Sequence, residues 1–100
     1  MSKYGNKRTN GYASKREAKR AAELDLMQKA GMIDNLQTQV KFVLIPKQIG
    51  ERKCEYIADF TYNNKDKQLI VEDCKGYRTK DYIIKRKLML WVHGIKILET

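Results

Sequence analysis

Histidine, proline, cysteine and acid are all scarce in this chain. Its 100 residues include one histidine, one proline and two cysteines, and 12 Asp and Glu stand against 21 Lys and Arg. His93 alone leaves a zinc centre without ligands, because Cys54 and Cys74 lie in separate strand-like runs and form no Cys-x-x-Cys pair. They read as reduced core thiols of a cytoplasmic protein, not as a disulfide framework. No stretch approaches the roughly 20 consecutive apolar residues of a membrane span. The basic start, Met1 to Arg8, is followed by no apolar run of the kind a secretory leader carries. There is no internal repeat and no low-complexity tract.

What the chain has in excess is positive charge. The formal net charge is +9, which points to a polyanionic partner, either nucleic acid or an acidic membrane surface. The length fits one domain with a small core, burying about 60–70% of the unfolded surface. A core of that size would gain from dimerisation.

Residues 1–13 carry Lys3, Lys7 and Arg8 with Tyr4 and Tyr12 between them, broken by Gly5 and Gly11. They read as a flexible basic arm, either a solvated tail or a phosphate contact whose tyrosines stack on bases. Residues 14–100 form the domain. Ser14 to Glu17 fits a capping box that opens a helix ending at Gly31. Lys15, Arg16, Lys19, Arg20 and Glu23 fall on one side of it, among the solvated charges. Glu17 stacks instead with Ala21 and Leu24, at the edge of the inward face. It reads as a capping glutamate, as a carboxylate aimed into a site, or as both.

Residues 32–36 read as a connector and 39–45 as a first strand stopped by Pro46. A second strand covers 54–62. Its alternation puts Cys54, Tyr56, Ala58, Phe60 and Tyr62 on one face and Glu55, Ile57, Asp59 and Thr61 on the other. A loop of turn residues, Asn63 to Lys67, suits a hairpin into a third strand, Leu69-Ile70-Val71-Glu72-Asp73-Cys74-Lys75. Thr79 caps a second helix over about 80–92, ended by Gly94 and apolar on nearly all sides. One face can take the sheet, and another suggests a partner chain. Lys85 and Lys87 on this helix read as snorkelling surface charge. Residues 95–98 form a last short strand. A third strand leading through a helix to a fourth implies a parallel crossover, so the expected fold is α/β, an αβββαβ core with a small mixed sheet flanked by helices.

The third strand carries the chemistry. Leu69, Val71, Asp73 and Lys75 share a face, so an apolar surface ends in a carboxylate two residues before an ammonium. A hairpin symmetric about Asp66 places Asp59 opposite Asp73. Directly opposed Cβ atoms are about 4.5–5.5 Å apart, and two charges about 4 Å apart repel by roughly 4 kcal/mol at an effective dielectric of 20. Keeping both acids requires a shared proton or a cation between them. Lys75 supplies one positive charge, and a divalent metal would supply more. Glu72 is the other acid of the strand, and Asp73 is preferred because only it shares a face with Lys75.

At these residues the chain resembles the PD-(D/E)XK nuclease superfamily. The matching motif is Ala58-Asp59 followed by Asp73-Cys74-Lys75, with Ala58 where the superfamily's name has proline. The chain looks most like the small phage and prophage endonucleases of that superfamily, a branch that includes Holliday junction resolvases. The resemblance includes the Lys3 to Lys7 segment, the helix start Ser14 to Ala18 and the helix from Thr79 to Leu88. It implies an αβββαβ core, with Asp59, Asp73 and the Cys74 carbonyl as ligands of Mg²⁺ (Mn²⁺ substituting). Lys75 is then catalytic and Glu17 the acid of the first helix. The expected activity is metal-dependent endonucleolytic cleavage of DNA, branched DNA included, by a homodimer paired through its second helix, in a bacterial host. Lys3, Tyr4, Lys7, Arg8, Lys15, Arg78, Lys85 and Lys87 are the expected DNA contacts. The alternatives are a non-catalytic nucleic-acid-binding module and a small scaffold or inhibitor protein.

Overall fold

The computed structural model describes residues 14–100. The expected arm over 1–13, with Lys3, Tyr4, Lys7 and Arg8, lies outside the described residues. Helix α1, Lys15–Lys29, begins where Ser14 Oγ accepts the Glu17 amide at 3.1 Å. Its inward stripe is Glu17, Ala21 and Leu24. Gly31, at φ +77°, turns the chain out of the helix.

Strand β1, Asp34–Ile45, starts five residues before the strand expected over 39–45. Its first half, Asp34 to Thr38, lacks an apolar alternation because it is an exposed edge. Backbone pairing with β2 holds it, from Asp34↔Asn63 to Thr38↔Phe60. Strand β2, Cys54–Asn63, turns into β3, Leu69–Asp73, through a loop tied by Asn64 Oδ1 accepting the Gln68 amide at 2.9 Å. The pairs Phe60↔Glu72, Thr61↔Val71, Tyr62↔Ile70 and Asn63↔Leu69 give the register of a hairpin symmetric about Asp66. Helix α2, Lys80–His93, is capped by Thr79 and closed by Gly94 at φ +67°. It carries the chain to β4, Leu98–Glu99, which lies parallel to β3. The strand expected over 95–98 is shorter and later, because Ile97 and Ile95 pack into the core under α2. The sheet order is β1-β2-β3-β4, so the fold is the expected α/β arrangement with a small mixed sheet.

Two apolar clusters cover the sheet. Leu44, Tyr56, Ala58 and Val71 join Tyr82 and Met89 of α2. Phe60, Tyr62 and Ile33 join Ala21 and Leu24 of α1. The expectation that Tyr56, Ala58, Phe60 and Tyr62 share one face is therefore wrong. The change of face falls between Ala58 and Phe60, at Asp59. In β1 it falls between Leu36, on the α1 side, and Phe42, on the α2 side. The register flanks it with Val40↔Ala58 and Thr38↔Phe60. Between them Gln39 takes φ +54°. Strict alternation holds only for uninterrupted extended backbone, and one left-handed residue breaks it. For a glutamine that conformation is strained.

Helix α2 is buried on one side only, through Tyr82 and Met89. Ile84, Leu90, Val92 and Trp91, the last 86% exposed, remain open, so the single chain does not cover the helix on a second face as its composition implied. At the C-terminal edge Glu99 accepts hydrogen bonds from Arg78 Nη2 at 2.8 Å, Tyr82 Oη at 2.6 Å and Arg86 Nη1 at 3.3 Å. The Arg78 bond and then the Tyr82 bond hold its carboxyl down at about 2. A depressed folded pKa contributes stability that is complete above the unfolded value and is lost as pH falls toward 2. Glu99→Gln is thus expected to lower the thermal midpoint by a few degrees at pH 6, since solvent screens these partners. The two proteins are expected to converge by pH 2, as followed by circular dichroism.

Candidate active site

The face change at Asp59 and the end of β3 meet at one place. Asp59 Oδ2 accepts the Cys74 amide at 2.8 Å, across the hairpin. Asp73, 2% exposed, accepts the Tyr56 hydroxyl at its Oδ2, 2.5 Å away. Its Oδ1 lies 3.1 Å from Lys75 Nζ. The ammonium sits off the hydrogen-bonding direction, so this buried oxygen has no hydrogen-bond partner among the described residues. Lys75 Nζ also rests 4.4 Å from the centre of the Tyr82 ring, which limits where the charge can go. The backbone of β3 is pinned on its far side, with Thr100 N donating to Asp73 O at 3.0 Å and Lys75 N to Thr100 O at 3.2 Å.

Burial first, then the charges of Asp73 and Glu17, push the Asp59 carboxyl up to about 6, against the pull of the Cys74 amide and Lys75. Glu17, 6% exposed on α1, thus acts on the same place. Its Oε2 accepts Gln39 Nε2 at 3.2 Å, so the strained residue of β1 ties α1 to the point where the strands turn over. Three carboxylates from α1, β2 and β3 and the lysine two residues past β3 therefore influence one another.

Glu72 points the other way. It is fully buried, and Arg20 grips it with two bonds, Nε to Oε1 at 2.9 Å and Nη2 to Oε2 at 2.8 Å. The Tyr62 hydroxyl and Thr100 Oγ1 complete the set. Burial works to raise the Glu72 carboxyl, but the Arg20 and Tyr62 hydrogen bonds and the Arg20 charge outweigh it and hold it below the usual range. Arg20 is not one of the solvated charges of α1, as its helical position implied. Its long side chain reaches over the helix to β3.

A cleft of about 290 Å³ opens beside Asp73, lined also by Glu55, Tyr56, Lys75, Thr79, Asp81, Tyr82 and Lys85 among others. Lys85 therefore faces the same space as Asp73 and Lys75. Lys15 and Lys87 are exposed on the two helices, away from that lining. Arg78 is engaged with Glu99. The Cys74 thiol lies 3.3 Å from Thr100 Oγ1, and burial raises its pKa, which keeps it a thiol. Tyr56, Tyr82, Gln39 and Arg20 are the contributors that sequence reasoning missed. A tyrosine inside an apolar alternation was the one available signal, since a buried hydroxyl seeks a partner.

Among the described residues no three His, Cys, Asp or Glu side chains are gathered into a ready-made cation cage. The donors still fit a small hard ion. Mg²⁺ takes few carboxylates and keeps several waters, and Asp73 Oδ1 is a buried anionic oxygen that faces the Lys75 ammonium at 3.1 Å but accepts no hydrogen bond.

The chain belongs to the family described as "Protein of unknown function (DUF1064)", whose sequence model matches residues 1–94. Neither the curated proteins nor the solved structures contain a match to the chain.

Proposed function

We propose that this protein is a Mg²⁺-dependent endodeoxyribonuclease of the PD-(D/E)XK type. The observation that carries the reading is Asp73, a buried carboxylate with one oxygen left without a hydrogen bond, 3.1 Å from Lys75 and beside Asp59. Asp59, Asp73 and the Cys74 carbonyl would hold the ion, with Glu17 as the helix acid that would hold a second ion or a bound water. When bound, the ion supplies Lewis-acid polarisation of a phosphodiester. The Lys75 ammonium would orient the attacking water or offset charge developing at phosphorus. Lys85, across the same cleft, contacts a phosphate. The net charge of +9 supplies affinity without sequence preference.

The exposed apolar residues of α2, Ile84, Leu90, Trp91 and Val92, support pairing of two copies through that helix. A twofold dimer presents two sites to opposite strands, as cutting of branched DNA in phage replication or recombination requires. The test is incubation with supercoiled plasmid and with a synthetic four-way junction, in Mg²⁺ or Mn²⁺ against chelator. Cleavage that needs the ion is expected. Salt-dependent binding with both substrates intact in either metal would replace this reading with a non-catalytic DNA-binding module.

A further inference from the structure

The Asp73 carboxylate is divided between two neighbours, and the division has a chemical consequence. Tyr56 is 3% exposed, and its ring is held between Phe42 and Tyr82, each with its centre 6.5 Å away. Its buried hydroxyl donates to Asp73 Oδ2 at 2.5 Å. Asp73 Oδ2 is therefore occupied by the fold itself. Asp59 is treated the same way, its Oδ2 taken by the Cys74 amide at 2.8 Å. That leaves Asp73 Oδ1, which faces the Lys75 ammonium at 3.1 Å without a hydrogen bond, as the oxygen that a ligand would take.

We propose that Tyr56 selects the ion this site accepts: by holding Asp73 Oδ2 it restricts Asp73 to one-oxygen ligation, which favours Mg²⁺ over Ca²⁺. This deepens the metal-dependent reading above and rests on it. Ca²⁺ reaches six to eight ligands in part by taking carboxylates through both oxygens, whereas Mg²⁺ builds an octahedron from single oxygens and waters. A carboxylate with one oxygen already bonded to a buried phenol serves the second ion and handicaps the first. Tyr56 is a positioning residue in this scheme. It acts through Asp73 and has no contact with substrate.

The Cys74 amide cannot be removed by substitution, but the Tyr56 hydroxyl can. Tyr56→Phe keeps the ring and its packing and frees Asp73 Oδ2. Mg²⁺ and Ca²⁺ affinities are to be measured separately by titration calorimetry on the full chain, for wild type, Tyr56→Phe and Asp73→Asn. The ratio of the two affinities in Tyr56→Phe is expected to move toward Ca²⁺ by about tenfold, the scale of effects from residues that orient ligands. Asp73→Asn is expected to lose binding of both ions. An unchanged ratio in a folded Tyr56→Phe protein that still binds both ions overturns the proposal. Absence of Asp73-dependent binding in wild type overturns the metal reading itself, and the proposal with it. A second measurement needs no variant. Infrared spectra of wild type with labelled aspartate, before and after Mg²⁺, are expected to show the wide carboxylate splitting of one-oxygen ligation, and the narrow splitting of two-oxygen ligation refutes it.

Discussion

Asp73→Asn is expected to reduce metal-dependent cleavage by about a thousandfold while leaving the fold intact. An ion held by a carboxylate contributes several kcal/mol to the transition state, and each 1.36 kcal/mol is a factor of ten, so losing about 4 kcal/mol gives that scale. The stability side of the prediction is as specific. A buried carboxylate whose Oδ1 lacks a hydrogen bond, next to a second acid already driven up to about 6, does not strengthen the metal-free fold. Asparagine keeps the shape and still offers an oxygen to Tyr56. It also removes the repulsion from Asp59, which offsets the lost attraction to Lys75, itself partly exposed and open to water. The thermal midpoint in chelator is therefore expected to stay within a few degrees of wild type. Two measurements check this, the initial rate of plasmid nicking and a thermal melt in chelator. Retained cleavage would remove Asp73 from the chemistry, and a collapsed melt would make it a structural acid. Function and stability trade against each other in this way where a site holds charge that the fold alone does not need.

The pairing of β2 with β3 was legible because it depends on local information. Turn residues bracket Asp66, and antiparallel strands leaving a symmetric loop have one register. That Asp73 and not Glu72 shares a face with Lys75 was legible for the same reason, since alternation over three residues is enough to put Asp73 with Lys75 and to send Glu72 to the other face, where Arg20 meets it. Helix α1 announced itself through Ser14 and its inward stripe. The features that escaped are those set by distant parts of the chain. Gln39 gives no local sign of a left-handed conformation, and it stands across from the turnover at Asp59 in the register of β1 with β2. Tyr56 looked like one more apolar position until a carboxylate from another strand was brought to 2.5 Å from its hydroxyl. The early start of β1 was hidden because edge residues need no apolar pattern when backbone pairing alone holds them.

Arg20→Ala is expected to be the most damaging single change to stability. It leaves Glu72, 0% exposed, with two hydroxyl donors and no positive charge. Removing one partner of a buried pair typically costs about 3–5 kcal/mol, out of a total near 5–15 kcal/mol for a domain. At about 4–8 °C per kcal/mol for a chain of this size, the melting midpoint is expected to fall by more than about 12 °C. The sign of the pH dependence is expected to reverse. In wild type the Glu72 carboxyl is held below its usual range, so its contribution is present above the unfolded value and fades as pH falls through the folded one. Without Arg20, burial is left to dominate and the folded pKa rises, so the variant gains stability relative to wild type as pH drops from 7 toward 4. Adding Glu72→Gln to Arg20→Ala removes the stranded charge and is expected to restore most of the loss, which a simple cavity under α1 would not allow. The pair also joins α1 to β3, one residue before Asp73 and three residues after Glu17 along the helix. Loss of the grip would therefore loosen Glu17 from Asp59. The double variant is expected to recover stability more fully than cleavage, because a neutral glutamine fills the space but no longer clamps the helix.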